Sequence, residues 1–232
     1  MSTIADNIAL VGARIRAASL AAQRAEDSVQ LLAVSKTKPS QALREAYAAG
    51  VRDFGENYLQ EALGKQQELN DLPLIWHFIG PIQSNKTRSI AEHFDWVHSV
   101  DRLKIAQRLS EQRPAELPPL NICIQVNVSG EASKSGCTPA DLPALASAIS
   151  ALPRLKLRGL MAIPEPTEDR AAQDAAFAAV GALNKHLQDS LNLPLDTLSM
   201  GMSHDLEAAI AQGATWVRIG TALFGARDYG QP

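Results

Sequence analysis

Cysteine is scarce in this chain: Cys123 and Cys137 are the two it carries in 232 residues. Their spacing matches no metal motif, and both read as free thiols, with Cys123 a small core residue inside a strand signal. The five histidines (His77, His93, His98, His186 and His204) form no pair four residues apart, so zinc is disfavoured. An excess of charge of one sign is also missing. Lys and Arg number 22 against 25 Asp and Glu, a net charge of −3, which removes any electrostatic case for nucleic acid or an anionic membrane. No apolar run approaches a membrane span. The start, Met1-Ser2-Thr3-Ile4-Ala5-Asp6, has neither a basic leader nor an apolar signal core, so the expected compartment is the cytoplasm. No G-x-G-x-x-G follows any strand signal, which argues against a dinucleotide fold. What remains is a globular composition, 46% hydrophobic and 20% charged, long enough for one large core.

Helical and strand signals alternate from end to end. An opening helix at about 3–24 carries Ile4, Ile8, Val11, Ile15 and Leu20 at close to a 3.6-residue period. Strands are expected near 31–35, 51–54, 74–79, 94–98, 120–127, 156–162, 196–200 and 215–219. Helices fall between them at 40–49, 57–70, 84–92, 101–112, 139–151, 168–190 and 204–212. Ile122-Cys123-Ile124-Gln125-Val126 is apolar enough for a strand covered on both faces, the mark of a parallel sheet. Parallel strands joined by helices form an open sheet or a closed barrel, and eight of them favour the (β/α)8 barrel with an extra N-terminal helix. The Pro-rich stretches 113–119 and 163–166 are too short for linkers, and no internal repeat is visible, so 1–232 reads as one α/β domain.

Two residues stand out within that frame. Lys36 ends the run Leu31-Leu32-Ala33-Val34-Ser35 and precedes Thr37-Lys38-Pro39. Desolvation there lowers an amine's pKa, and such an amine forms a Schiff base with an aldehyde. Taken alone, Lys36 reads equally well as a lysine that snorkels from a strand end. At the other end, Trp216-Val217-Arg218-Ile219-Gly220-Thr221 offers an arginine and a small-residue turn suited to a phosphate. Closing the barrel pairs strand eight with strand one, bringing Arg218 beside Lys36 on the face where barrel active sites are built. Ser203, just ahead of the helix at 204–212, serves as a phosphate ligand, as an N-cap, or as both. Together these residues suggest a pyridoxal-phosphate site.

Several segments closely resemble the pyridoxal-phosphate homeostasis protein family. They are Leu32-Ala33-Val34-Ser35-Lys36-Thr37-Lys38-Pro39, Phe54-Gly55-Glu56-Asn57-Tyr58, His77-Phe78-Ile79-Gly80, Gln83-Ser84-Asn85-Lys86, Gln125-Val126-Asn127, Lys134-Ser135-Gly136, Gly159-Leu160-Met161, Ser199 to Asp205 and Val217 to Tyr229. Those proteins are similar to the barrel domain of alanine racemase and of fold-type III decarboxylases. The resemblance implies that Lys36 holds pyridoxal 5'-phosphate as an internal aldimine and that Arg218 faces the pyridine nitrogen. It implies that Ser203, Gly220 and Thr221 bind the phosphate, with Asn57 beside the ring and Met200 near the phosphate loop. His77, Gln83 and Asn85 would line or support the cleft, although His77 reads equally as a satisfied core histidine. Lys38 and Lys134 lie near the cleft and read best as solvated surface lysines.

The implied role is a non-catalytic carrier in intracellular cofactor homeostasis, with apo pyridoxal-phosphate enzymes as the partners it would serve. Arginine keeps its proton and so leaves the pyridine nitrogen unprotonated, where enzymes that need a strong electron sink place a carboxylate. Alanine racemases share that arginine and add a tyrosine base from a second, β domain of the partner subunit. This sequence stops at Pro232, so neither that domain nor its dimer interface is expected, and the default is a monomer. Tyr58, His77 and His204 remain as bases for the alternative, a low-activity amino-acid racemase. A barrel aldolase or isomerase using Lys36 on a sugar phosphate fits least well, because it gives Arg218 no purpose.

Overall fold

The computed structural model describes residues 1–132 and 135–226. Its elements run α1 (Ile4–Ala21), β1 (Gln30–Val34), α2 (Ser40–Ala48), β2 (Asp53–Glu56), α3 (Leu59–Glu68), β3 (Ile75–Phe78), α4 (Thr87–His93) and β4 (Trp96–Val100). They continue through α5 (Leu103–Gln112), β5 (Leu120–Gln125), α6 (Leu142–Ser150), β6 (Leu155–Met161), α7 (Arg170–Leu191), β7 (Thr197–Ser199), α8 (Leu206–Ala211), β8 (Trp216–Ile219) and α9 (Thr221–Phe224). All eight strands are parallel, and β8 pairs with β1 in register Leu32 with Arg218 to close the barrel. The expected (β/α)8 architecture is the observed one.

The opening helix completes the outer ring. Each of β1 to β7 is followed by a covering helix, but among the described residues β8 is followed only by the single turn α9. Into that gap goes α1, which packs against α8, α9 and α2. Thr3 and Asp6 start it as a reciprocal capping box, and Val11 and Ile15 are its buried face. Asn7 donates to the Leu223 carbonyl at 2.9 Å, and Arg14 forks onto Glu207 at 2.9 and 3.0 Å. An N-terminal helix therefore does what an eighth crossover helix does elsewhere in this fold.

Two strands begin two residues later than their apolar runs imply. Val51 is not strand: after Gly50 (φ 104°) its N–H caps α2 by bonding the Ala46 carbonyl, and its side chain is buried there. Phe94 likewise caps α4 through the Ile90 carbonyl and meets Phe78 edge-on at 5.3 Å. Hydrophobic residues just past a helix end pack back on that helix, so both runs mix a cap with a strand. Between β5 and β6 the register slips, Ile122 facing Leu157 but Cys123 facing Gly159. Gly159 has φ 158°, and a Cβ there would lie 1.7 Å from the Thr197 carbonyl oxygen, so only glycine permits this approach of β7.

The main apolar core lies between strands and helices. The barrel interior is different in kind. A small cluster of Trp96, Cys123 and Met161 sits apart from the main core, and the His77, His98, Trp96 and Trp216 rings pack together at 5.0–5.9 Å. Burial pushes the Cys123 thiol up to about 12 and the Cys137 thiol to about 11, so neither is a nucleophile at neutral pH.

Candidate functional site

A cleft of about 250 Å³ opens where the strands end. Residues immediately following the strands line it: Lys36 after β1, Asn57 after β2, Ile79 after β3, Ile163 after β6, Ser203 after β7, and Gly220 and Thr221 after β8. Arg218, within β8, forms part of its floor. All of the residues expected to hold a cofactor border this one cleft except Met200. That side chain is fully buried in the apolar core, because the chain turns at Gly201 (φ 100°) and delivers Met202, not Met200, to the cleft. His77 is also elsewhere, fully buried inside the barrel. Gln83 and Asn85 are exposed and do not line the cleft. Lys38 does line it, and its ammonium donates to the Ala226 carbonyl at 2.7 Å, a more fixed position than a solvated lysine has. Lys134 lies outside the described residues.

The backbone on both sides of Lys36 is pinned by a buried ion cluster. Ser35 takes a ladder bond from its N–H to Gly55, and its hydroxyl donates to Glu56 Oε1 at 2.8 Å. Lys65 of α3 donates to the Ser35 carbonyl at 2.7 Å, to Glu56 Oε1 at 2.7 Å and to Glu61 Oε1 at 2.8 Å. Glu61 Oε1 in turn accepts the Thr37 N–H at 2.6 Å, and Thr37 is held at φ 66°, a left-handed conformation costly for a β-branched residue. Glu56 is fully buried, its Oε2 has no partner, and burial pushes its carboxyl up against the opposing pull of Lys65. This cluster was not singled out from the sequence, where Glu56 stood only within a segment carrying the family resemblance.

At the other side of the cleft, Arg218 is 5% exposed. One terminal nitrogen donates to Ser199 Oγ at 2.8 Å and the other to the Ala162 carbonyl at 3.0 Å. Burial draws its pKa down to about 10, opposed by Asp205, so it stays a cation at neutral pH. The loop carrying Ser203 is braced from two directions. Asp205 accepts the Met202 N–H at 2.7 Å, and Arg14 of α1 reaches the Ser203 carbonyl at 3.0 Å. Beside it the chain at Gly220 passes so close to Val34 that a Cβ would sit 3.3 Å from its carbonyl. The cleft thus places an amine, a hydroxyl-rich end and a buried guanidinium around one small volume. Asn57 adds a buried amide oxygen without a partner. Among the described residues no cluster of His, Cys, Asp and Glu suits a metal ion, and no helix is long and apolar enough to cross a membrane.

This donor set fits an aldehyde-bearing, phosphorylated heteroaromatic, and comparison with known proteins leads to the same place. Residues 13–228 match the family described as alanine racemase, N-terminal domain. Over 232 residues the chain is 78% identical to the pyridoxal phosphate homeostasis protein of Pseudomonas aeruginosa, covering all of this chain and 99% of that one. The chain belongs to the pyridoxal phosphate homeostasis protein family. The Escherichia coli K12 member is 55% identical over 237 residues, covering 99% of each chain. The solved structure of PipY from Synechococcus elongatus PCC7942 with pyridoxal phosphate bound superposes with a TM-score of 0.85 at 44% identity, covering 96% of this chain and all of that one. In family terms, the barrel with its added N-terminal helix is a full-length match to these relatives.

Proposed function

We propose that this protein binds pyridoxal 5'-phosphate through a Schiff-base linkage to Lys36 and serves cofactor homeostasis as a carrier, not as an amino-acid enzyme. The observation that carries the reading is the meeting of Lys36 from β1 with Arg218 from β8 in one cleft whose rim supplies Ser203, Gly220 and Thr221. In this reading the Lys36 amine condenses with the aldehyde and releases water, while the hydroxyls and the Gly220 backbone hold the phosphate. Asn57, whose amide oxygen has no partner, would lie beside the ring. The name borne by the relatives and the cofactor bound by PipY support the same assignment.

The carrier half rests on electronic grounds. A guanidinium that remains protonated cannot protonate the ring nitrogen, which leaves the cofactor a weak electron sink. Tyr58 is half-exposed and away from the cleft, and burial lowers the pKa of His77 inside the barrel. His204 alone of the three bases lines the cleft, near solvent. We place the protein in the cytoplasm as a monomer, with pyridoxal phosphate and apo-enzymes as its partners. Purified protein should show a yellow aldimine band that borohydride bleaches, with the reduced label on the peptide containing Lys36. A label on another lysine, or no band after addition of the cofactor, would overturn the assignment.

A further inference from the structure

The barrel interior holds a line of hydrogen bonds that the cofactor contacts do not account for. It starts at Arg218, whose guanidinium donates to Ser199 Oγ at 2.8 Å. Ser199 Oγ lies 2.7 Å from His98 Nδ1, His98 Nε2 lies 2.9 Å from His77 Nδ1, and His77 Nε2 lies 2.8 Å from Asp53 Oδ1. Five residues from β8, β7, β4, β3 and β2 are thereby joined through the middle of the barrel. Ser199, His98 and His77 are fully buried, and the carboxylate at the far end is 20% exposed.

The two ends, together with the neutrality of both buried rings, dictate the direction of every bond between them. A guanidinium has donors and no acceptor, and a carboxylate has acceptors and no donor. Ser199 accepts from Arg218, and with both rings neutral its own proton goes to His98 Nδ1. His98 must then carry its proton on Nε2 and donate to His77 Nδ1, and His77 must donate from Nε2 to Asp53. Each neutral ring therefore carries its proton on Nε2. Burial holds the rings neutral, lowering the pKa of His77 against the pull of Asp53 and lowering that of His98 further. The chain has one donor direction and no spare proton.

We propose that Ser199, His98, His77 and Asp53 are positioning residues for Arg218, a through-barrel line that fixes how its guanidinium faces the ring nitrogen of the bound cofactor. The inference rests on the pyridoxal-phosphate reading of the cleft. Arg218 is also anchored by the Ala162 carbonyl on its other terminal nitrogen. Two separate attachments on NH1 and NH2 fix the plane of the fork, and each nitrogen retains a second hydrogen for the cleft side. Losing the Ser199 attachment leaves one anchor and lets the plane turn. Ser199 is itself fully buried, so water does not readily replace the missing bond.

Two measurements test this. In 15N-histidine-labelled protein without cofactor, the resonances of His77 and His98 should both report a neutral ring protonated on Nε2. A proton on Nδ1, or an imidazolium, would break the line and sink the proposal. The second compares affinity for pyridoxal phosphate with that for its 1-deaza analogue, which keeps the aldehyde and phosphate but lacks the ring nitrogen. Ser199→Ala should weaken pyridoxal phosphate about tenfold, the order expected for one hydrogen bond to a charged group, while changing the analogue less than about twofold. His98→Asn, which keeps an acceptor near the Nδ1 position, should preserve the wild-type preference, and His98→Leu should lose it. Parallel losses for both ligands, or equal behaviour of the two His98 variants, would mean the line only packs the barrel. Wild-type protein that bound neither ligand would instead reject the cofactor reading itself, with the histidine tautomers still deciding whether the line exists.

Discussion

Lys65→Met removes the cation from the buried cluster behind Lys36 and offers a sharp test of what holds that lysine in place. Methionine keeps the apolar stem but leaves Glu56 Oε1, 2.7 Å from the lost ammonium, as an uncompensated carboxylate with no exposure to water. The Ser35 carbonyl keeps the Lys38 N–H at 3.1 Å but loses its ammonium donor. Breaking a buried ion pair from one side costs about 3–5 kcal/mol. The Glu61 contact adds little, because that carboxylate is 30% exposed and screened. At about 2–4 °C per kcal/mol for a chain of this size, Tm should fall by roughly 6–20 °C. The deficit should depend on pH with a definite sign. Glu56 already has a raised folded-state pKa, and losing Lys65 raises it further. Folding then favours the protonated form, so stability is fully present below the ordinary carboxylate value and is lost as pH rises through the folded one. Thermal or urea unfolding should therefore show a larger gap between variant and wild type near about pH 8 than near about pH 5. Adding Glu56→Gln should recover most of the loss, since no buried charge is then left alone. A Tm within about 2 °C of wild type at the higher pH, or a gap that does not change with pH, would refute the reasoning.

Lys36→Ala should abolish the reducible aldimine band and leave thermal unfolding within about 2 °C of wild type, since only a partly exposed strand-end amine is removed. Ser203→Ala and Thr221→Val should each weaken pyridoxal phosphate roughly ten- to a hundredfold, measured by titration, and pyridoxal much less, because a hydrogen bond to a charged group is worth about 1.5–3 kcal/mol. Equal losses for the two ligands would assign those hydroxyls to the loop. Incubation with L- or D-alanine in deuterated water should give α-deuterium exchange barely above that of the free cofactor. Turnover at enzymatic rates, which takes about 1.4 kcal/mol of transition-state stabilisation for each decade, would instead make His204 the first base to replace.

The barrel was legible because its signals are local. Each helix buries a stripe and each strand a short apolar run, and eight alternations leave few architectures. What local signals could not give was the role of α1. An amphipathic helix ahead of β1 reads as an addition, and only the brevity of α9, a single turn of four residues after β8, shows that α1 fills the eighth place in the ring. The same locality explains the misplaced starts of β2 and β4. Val51 and Phe94 are hydrophobic for the sake of the preceding helix ends, and hydrophobicity does not say which neighbour it serves.

The cleft residues were legible for a different reason: all but Arg218, which lies within β8, sit just past a strand end, and a barrel turns that linear rule into a spatial one. Met200 marks where the rule fails, since a single left-handed glycine at 201 decides which of two methionines reaches the cleft. The ionic cluster and the interior line fail it more completely. Asp53, His77, His98, Ser199 and Arg218 belong to five strands, and their contact requires the register of the whole sheet to be right at once. Trp96-Val97-His98-Ser99-Val100 is buried at every position, and an ionisable ring in such a strand must find a partner or remain neutral. Here it does both. The direction of the bonds follows from the two charged ends and the burial that keeps both rings neutral, so a sequence that places histidines on strands between an arginine and an aspartate constrains their tautomers once the barrel closes. Closure is thus what converts a set of buried polar residues, each costly by itself, into one satisfied line ending at the cleft.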